Sequence, residues 1–204
     1  MKGHVIISHG LQSSPDATKA TAIAKVAQSI GWTTEIPDYR DLDAASELGD
    51  VLSRIERLRR AGTRKCRGRQ DAGSDRRAGT RKCRGRQDAG SDRAMAGGRT
   101  PLVLAGSSMG AFISARVSLA VDVQGLFLMA PPTQLKGYDI KLEAATVPTC
   151  IVHGWHDELI PAGEVVRWAQ ARSDHLVLVN DSHRLAGHVD FCAQEFGRFV
   201  QGLA

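Results

Sequence analysis

The 204-residue chain is poor in aromatic side chains: three Trp, two Tyr and five Phe make up 5% of it, and none lies between residues 60 and 93, so that stretch offers nothing on which single-stranded nucleic acid could stack. Four cysteines, Cys66, Cys83, Cys150 and Cys192, are too few for a disulfide scaffold and lack C-x-x-C metal spacing, so they read as reduced thiols. No apolar run approaches the roughly 18 residues of a membrane helix. The opening Met1-Lys2-Gly3-His4, followed by Val5-Ile6-Ile7, is too short for a signal peptide. Neither membrane insertion nor a targeting leader is expected, and a cytoplasmic location follows. There is no H-E-x-x-H and no glycine-rich phosphate loop, so neither a metal nor an organic cofactor is expected. What remains is a chain with 42% hydrophobic and 24% charged residues, enough for one buried core.

The net charge of +5 is concentrated in one place. Residues Arg60 to Arg76 read RAGTRKCRGRQDAGSDR, and Arg77 to Arg93 repeat those 17 letters without a change. The two copies carry twelve Lys and Arg against four Asp, a net of +8, so the other 170 residues are mildly acidic at −3. With no Val, Leu, Ile, Met, Phe, Trp or Tyr, this insert cannot bury enough apolar surface to offset the entropy of ordering itself. Residues 60–93 are therefore expected to form a disordered basic loop within a single domain spanning 1–204. Two copies of so short a unit are too few to stack as a solenoid, and a surface loop tolerates such an insertion because closure entropy grows slowly with length. Arg and Lys without stacking aromatics give salt-sensitive, sequence-independent attachment at most, so no specific nucleic acid partner is expected.

Outside the insert, short apolar runs alternate with helical patterns. Strands are expected at 4–8, 33–37, 101–105, 123–130, 149–153 and 175–179. Ser14 can cap a helix with Pro15 in its first position and Ala20, Ile23, Ala24, Ala27 and Ile30 on one face. Leu48, Val51, Leu52, Ile55 and Leu58 mark a second amphipathic helix leading into the insert; further helices are expected at 109–120, 161–171 and from Val189 to Leu203. Six strands interleaved with helices, most of them apolar on both faces, point to a doubly wound, mostly parallel sheet with helices on both sides. Chemistry in such sheets sits at the carboxyl ends of the strands.

Three strand ends carry suggestive residues. Gly106-Ser107-Ser108-Met109-Gly110 fits G-x-S-x-G with Ser108 at its centre, between an apolar strand and a helix. Small flanking residues make room for the strained turn that presents a nucleophile, and the N–H of Met109 is left free at the helix start to stabilise an oxyanion. Ser107 lacks glycines at both flanking second positions. A serine needs a base oriented by an acid, in the chain order Ser, acid, His on this scaffold. Asp157, after the strand ending at His153, and His183, after the last strand, satisfy that order. His188 is the rival base and Glu158 the rival acid, while His153 and His156 lie on the acid strand and would need another acid.

Taken together, Ser8-His9-Gly10-Leu11, the Gly106 to Gly110 turn, His153 to Pro161 and Asp181-Ser182-His183-Arg184-Leu185 make the sequence resemble a small, lidless α/β-hydrolase of the serine type over all but residues 60–93. The resemblance implies that Leu11 supplies a second oxyanion N–H beside Met109, and that His9 shapes its loop rather than reacts. The first two strands of larger members are absent, and the span from Ala130 to Val147 leaves no room for a helical cap. The pocket should be open, with Leu11, Met109, Trp155, Leu159 and Ile160 as apolar candidates for an acyl site. The implied activity is cleavage of a small carboxylic ester, a small molecule, through an acyl-enzyme on Ser108. Thioesterase, lactonase, acyltransferase and cofactor-free haloperoxidase reuse the same groups, and a weakly active hydrolase fold tethered by its basic insert to an anionic surface is the alternative of another class. The oligomeric state is not legible in the residues.

Overall fold

In the computed structural model, residues 3–44, 50–74, 101–135 and 140–203 are described, with the side chains of 66–74 outside that description. The elements run β1 (His4–Ser8), α1 (Thr18–Ser29), β2 (Thr33–Glu35), α2 (Arg40–Asp43), α3 (Val51–Ser74), β3 (Leu102–Ser107), α4 (Met109–Ser118), β4 (Gly125–Met129), β5 (Gln134–Leu135), β6 (Ile140–Lys141), β7 (Thr149–Gly154), α5 (Ala162–Arg172), β8 (His175–Val179) and α6 (Val189–Gln201), with a 3-10 turn at Ala186–His188. Six strands form one sheet in the order β2-β1-β3-β4-β7-β8, every neighbouring pair parallel. The sequence reading of a doubly wound sheet is what the structure shows.

Strand residues alternate between two cores, as the period of two requires. Ile6, Leu102, Leu104, Leu126, Leu128 and Ile151 face α3, α4 and α5 together with Val51, Leu58, Phe112 and Val165. Val5, Ile7, Val103, Ala105, Phe127 and Val152 face α1 and α6 with Ile23, Cys192 and Phe196. Burial on both sides explains why these strands read as continuous apolar runs. The chain leaves β1 towards β2 and then returns to the other side of β1 with β3, so the order reverses between β1 and β3. In open parallel sheets, ligands are bound outside the carboxyl ends of the strands at such a reversal point.

Several boundaries differ from expectation. Helix α1 begins at Thr18 rather than Pro15, because Ser14 uses its carbonyl to accept the Ala17 N–H at 3.0 Å, closing a turn in place of a cap. The short α2 and the antiparallel β5–β6 pair are too brief to leave a period in the sequence. Leu48 lies outside the described residues. Among the described residues between Ala130 and Val147 there is no helix.

The largest difference concerns the basic repeat. Helix α3 does not stop at Arg59 but continues through Ser74, so the boundary at residue 60 drawn from composition does not coincide with a helix end. Ala61 is buried, and a Cβ on Gly62 would lie 2.9 Å from Val121 Cγ1, so the first letters of the repeat pack on the body. Ala, Arg, Lys and Gln are good helix formers, and a turn already anchored by Leu58 and Ala61 can propagate at little cost. Glu56 paired with Arg59 and Arg60, and Glu35 paired with Arg64, add support. Residues 75–93, which hold the second copy, lie outside the described residues.

Candidate active site

Ser108 joins β3 to α4 with φ 53° and ψ −123°, a left-handed conformation in which a side chain is strained. The surrounding glycines show why the turn can exist. A Cβ on Gly106 would sit 2.2 Å from the carbonyl oxygen of Gly110, and one on Gly110 would sit 2.0 Å from that of Ser8, so backbone passes where any side chain would clash. The Ser108 N–H donates to Met129 O at 2.8 Å, and the Ser108 carbonyl accepts the N–H groups of Ala111 and Phe112. Met109 begins the helix, where its N–H has no intrahelical acceptor. The loop after β1 abuts the same point: a Cβ on Gly10 would lie 3.6 Å from Ser108 Cβ.

The structure brings Ser108, His183 and Asp157 together from three strand ends. Ser108 Oγ is 2.9 Å from His183 Nε2, and His183 Nδ1 is 2.8 Å from Asp157 Oδ2. With Nδ1–H donating to the carboxylate, Nε2 is left with its lone pair towards the serine hydroxyl, the tautomer a general base requires. Asp157 Oδ1 accepts the N–H groups of Leu159 and Ile160 at 2.9 and 2.8 Å. Burial pushes the Asp157 carboxyl up, but His183 and those two N–H groups outweigh it and hold the acid below its ordinary value of 3.8. Asp157 and His183 are buried and Ser108 is half-buried, so solvent reaches the hydroxyl but scarcely the pair behind it.

The rival residues are placed elsewhere. His188 Nδ1 donates to Asp181 Oδ2 at 2.8 Å, and Asp181 also accepts the N–H groups of Ser182 and Gly187, which staples the loop carrying His183. His156 bonds Asn180 Oδ1 at 2.9 Å. His153 is fully buried behind the acid, its Nε2–H donating to Ile160 O at 3.0 Å and lying 3.6 Å from Asp157 Oδ2. Glu158 takes neither nitrogen of the His183 ring; its Oε2 accepts the His183 backbone N–H at 3.1 Å. Ser107 ends β3, one residue short of the strained turn.

His9 is buried and bonded at both nitrogens, its Nδ1–H donating to Gly10 O at 2.9 Å and its Nε2 accepting the Tyr39 N–H at 3.1 Å. Burial lowers its pKa, which suits a neutral ring that shapes a loop. Of the apolar candidates, Leu11 and Ile160 pack partly buried against the same core as Met109. Trp155 and Leu159 are 57% and 62% exposed, on the surface of the acid loop rather than in an enclosed slot. A cleft of about 950 Å³ lined by Cys150, His175 and Phe199 opens at the amino ends of β7 and β8, away from Ser108. Burial raises the Cys150 thiol there to about 12, which keeps it protonated and unreactive at neutral pH. No group of three or more His, Cys, Asp or Glu among the described residues could hold a metal ion, and no described helix is long and apolar enough to cross a membrane.

No protein-family model matches the chain, and no curated protein does. Solved structures do. A protein of Xanthomonas campestris pv. campestris assigned to the alpha/beta superfamily of hydrolases is 44% identical, over 98% of this chain and 99% of its own, with a TM-score of 0.78. An alpha-beta serine hydrolase homologue from Coxiella burnetii is 21% identical over 96% of this chain and 84% of its own, with a TM-score of 0.67. A second Xanthomonas campestris protein, a serine hydrolase without a lid, is 16% identical over 97% of this chain and 81% of its own, with a TM-score of 0.65. The last two share the fold; the first shares close to half of its residues along nearly the whole of both chains. On that likeness, and with the sheet and the strained turn at Ser108 described above, the chain belongs to the α/β-hydrolase superfamily.

Proposed function

We propose that the protein is a serine hydrolase that cleaves small carboxylic esters through an acyl-enzyme on Ser108. The observation that carries this reading is the pair of bonds on His183, 2.9 Å to Ser108 Oγ and 2.8 Å to Asp157 Oδ2, at the reversal point of the sheet. As Ser108 Oγ attacks the ester carbonyl, its proton passes to His183 Nε2, and Asp157 stabilises the imidazolium through Nδ1–H. The tetrahedral oxyanion is met by the N–H groups of Leu11 and Met109, donors of a type worth roughly 3 to 4 kcal/mol each. Collapse breaks the C–O bond to the alcohol, which takes the proton from His183. Water then attacks the acyl-enzyme with His183 again as base, releasing the acid and restoring Ser108.

The half-buried Ser108 and the exposed Trp155 and Leu159 support an open site and a small or surface-presented ester. Turnover of acetate, butyrate and octanoate nitrophenyl esters, matched thioesters and a lactone tests the reading. The expected outcome is a fast acyl burst with the short esters that vanishes in Ser108→Ala. Preference for thioester or lactone moves the assignment to those activities. Absence of turnover across the panel from folded protein turns it to a binding role, for which deletion of 60–93 should abolish a salt-sensitive interaction.

A further inference from the structure

Arg54, on the first turn of α3, is the largest fully buried side chain in the described protein. A buried guanidinium is unfavourable unless every donor is matched, and an apolar residue of the same volume often serves stability better. Here the matching is incomplete. Arg54 Nη2 pairs with Asp43 Oδ1 and its guanidinium carbon lies 4.8 Å from the centre of the Tyr39 ring, while Nε and Nη1 have no hydrogen-bond partner. Burial draws the guanidinium down to about 10, which still leaves it cationic at neutral pH.

The second oxygen of Asp43 shows what the pair is attached to. Oδ2 accepts the N–H of Gln12 at 3.0 Å, and Gln12 holds φ at 51°, a strained value for a residue with a side chain. Gln12 follows Leu11. The peptide plane after Leu11 is thus pinned by Asp43, and the plane before it, which carries the Leu11 N–H, is pinned by His9 through Gly10 O. His9 is itself held by the Tyr39 N–H, and Arg57 on α3 bonds Asp38 O and Asp41. Helix α3 therefore fixes the segment 38–43, and that segment fixes both peptide planes around Leu11.

We propose that the buried Asp43–Arg54 pair is a positioning device that aims the Leu11 N–H at the transition-state oxyanion. The proposal rests on the reading of Ser108 as nucleophile and Leu11 as oxyanion donor. Asp43→Asn tests it, because one amide oxygen can satisfy Arg54 or Gln12 but not both. Fluorophosphonate labelling is followed to completion to count active sites, and ester turnover is expressed per labelled site. A merely structural role would lower the number of sites; the positioning role lowers the rate at each. The expected result is a kcat per site about tenfold to hundredfold lower with KM within about twofold, and affinity for a phenylboronic acid, whose adduct mimics the tetrahedral anion, reduced in parallel. Should Asp43→Asn fail to fold, the neutral double variant Asp43→Leu/Arg54→Met removes the unpaired charge together with the acceptor for the Gln12 N–H and carries the same expectation. Wild-type kcat per site in either folded variant overturns the positioning role alone. A wild-type protein that fluorophosphonate does not label overturns the nucleophile reading and this proposal with it.

Discussion

Glu158 holds His183 by its backbone: Oε2 accepts the His183 N–H at 3.1 Å, while Asp157, the preceding residue, takes the ring of the same histidine at 2.8 Å. Two adjacent carboxylates thus restrain one histidine, Glu158 at its backbone and Asp157 at its ring. The acid and histidine loops are joined further by the Trp155 N–H on Val179 O and the His156 N–H on Asp181 O.

Glu158→Ala removes the backbone anchor without touching the ring. A hydrogen bond of this kind is worth about 1 kcal/mol net, so kcat should fall about fivefold with KM little changed. Glu158→Gln keeps an acceptor oxygen and should recover most of the loss. Equal activity in all three proteins, measured by steady-state ester hydrolysis, would show that the anchor has no bearing on turnover.

The repeat should be removable by one copy but not by two. Deleting 60–76 or 77–93 yields the same sequence, with Ala and Gly still in the places of Ala61 and Gly62, and the melting temperature should be unchanged. Deleting 60–93 instead brings Met95 to the position of buried Ala61 and Ala96 to that of Gly62, where a Cβ meets Val121 at 2.9 Å. Overpacking of that kind destabilises by about 1–3 kcal/mol, several degrees in a calorimetric melt. Identical melting temperatures for the two deletions would refute the packing role of 61 and 62.

Acid should loosen the fold through its buried histidines. Burial lowers the pKa of His9 and of His153 below the ordinary 6.5, so below that pH the unfolded chain binds protons that the folded one refuses. Their contribution to stability is complete above 6.5 and declines as pH falls, by at most about 1.4 kcal/mol per pH unit for each histidine. His153→Gln keeps a donor for Ile160 O and should flatten the decline between pH 7 and 5 in urea titrations. Parallel curves for the two proteins would remove His153 from that account.

As candidates, Ser108, Asp157 and His183 were legible because each lies within four residues of the end of an apolar strand, and position near a strand end is something a linear sequence records. Asp43 and Arg54 were not: Arg54 sits on an amphipathic helix among other arginines, and only the folded chain shows that it points inward. Helix α3 runs past residue 60 although composition points to an end there, because counting apolar side chains registers burial and ignores the helix propensity of Ala, Arg, Lys and Gln. A related ambiguity holds at Ser14, since a serine before a proline marks a turn as readily as a helix start.

Every step proposed for this site requires that Ser108 be a nucleophile activated by His183. Treating the purified protein with a fluorophosphonate and locating the adduct by peptide mass tests it without a guess about substrate. One adduct is expected, on Ser108, absent in Ser108→Ala and in His183→Ala. An unlabelled Ser108 in folded wild-type protein, or equal labelling in His183→Ala, would contradict it.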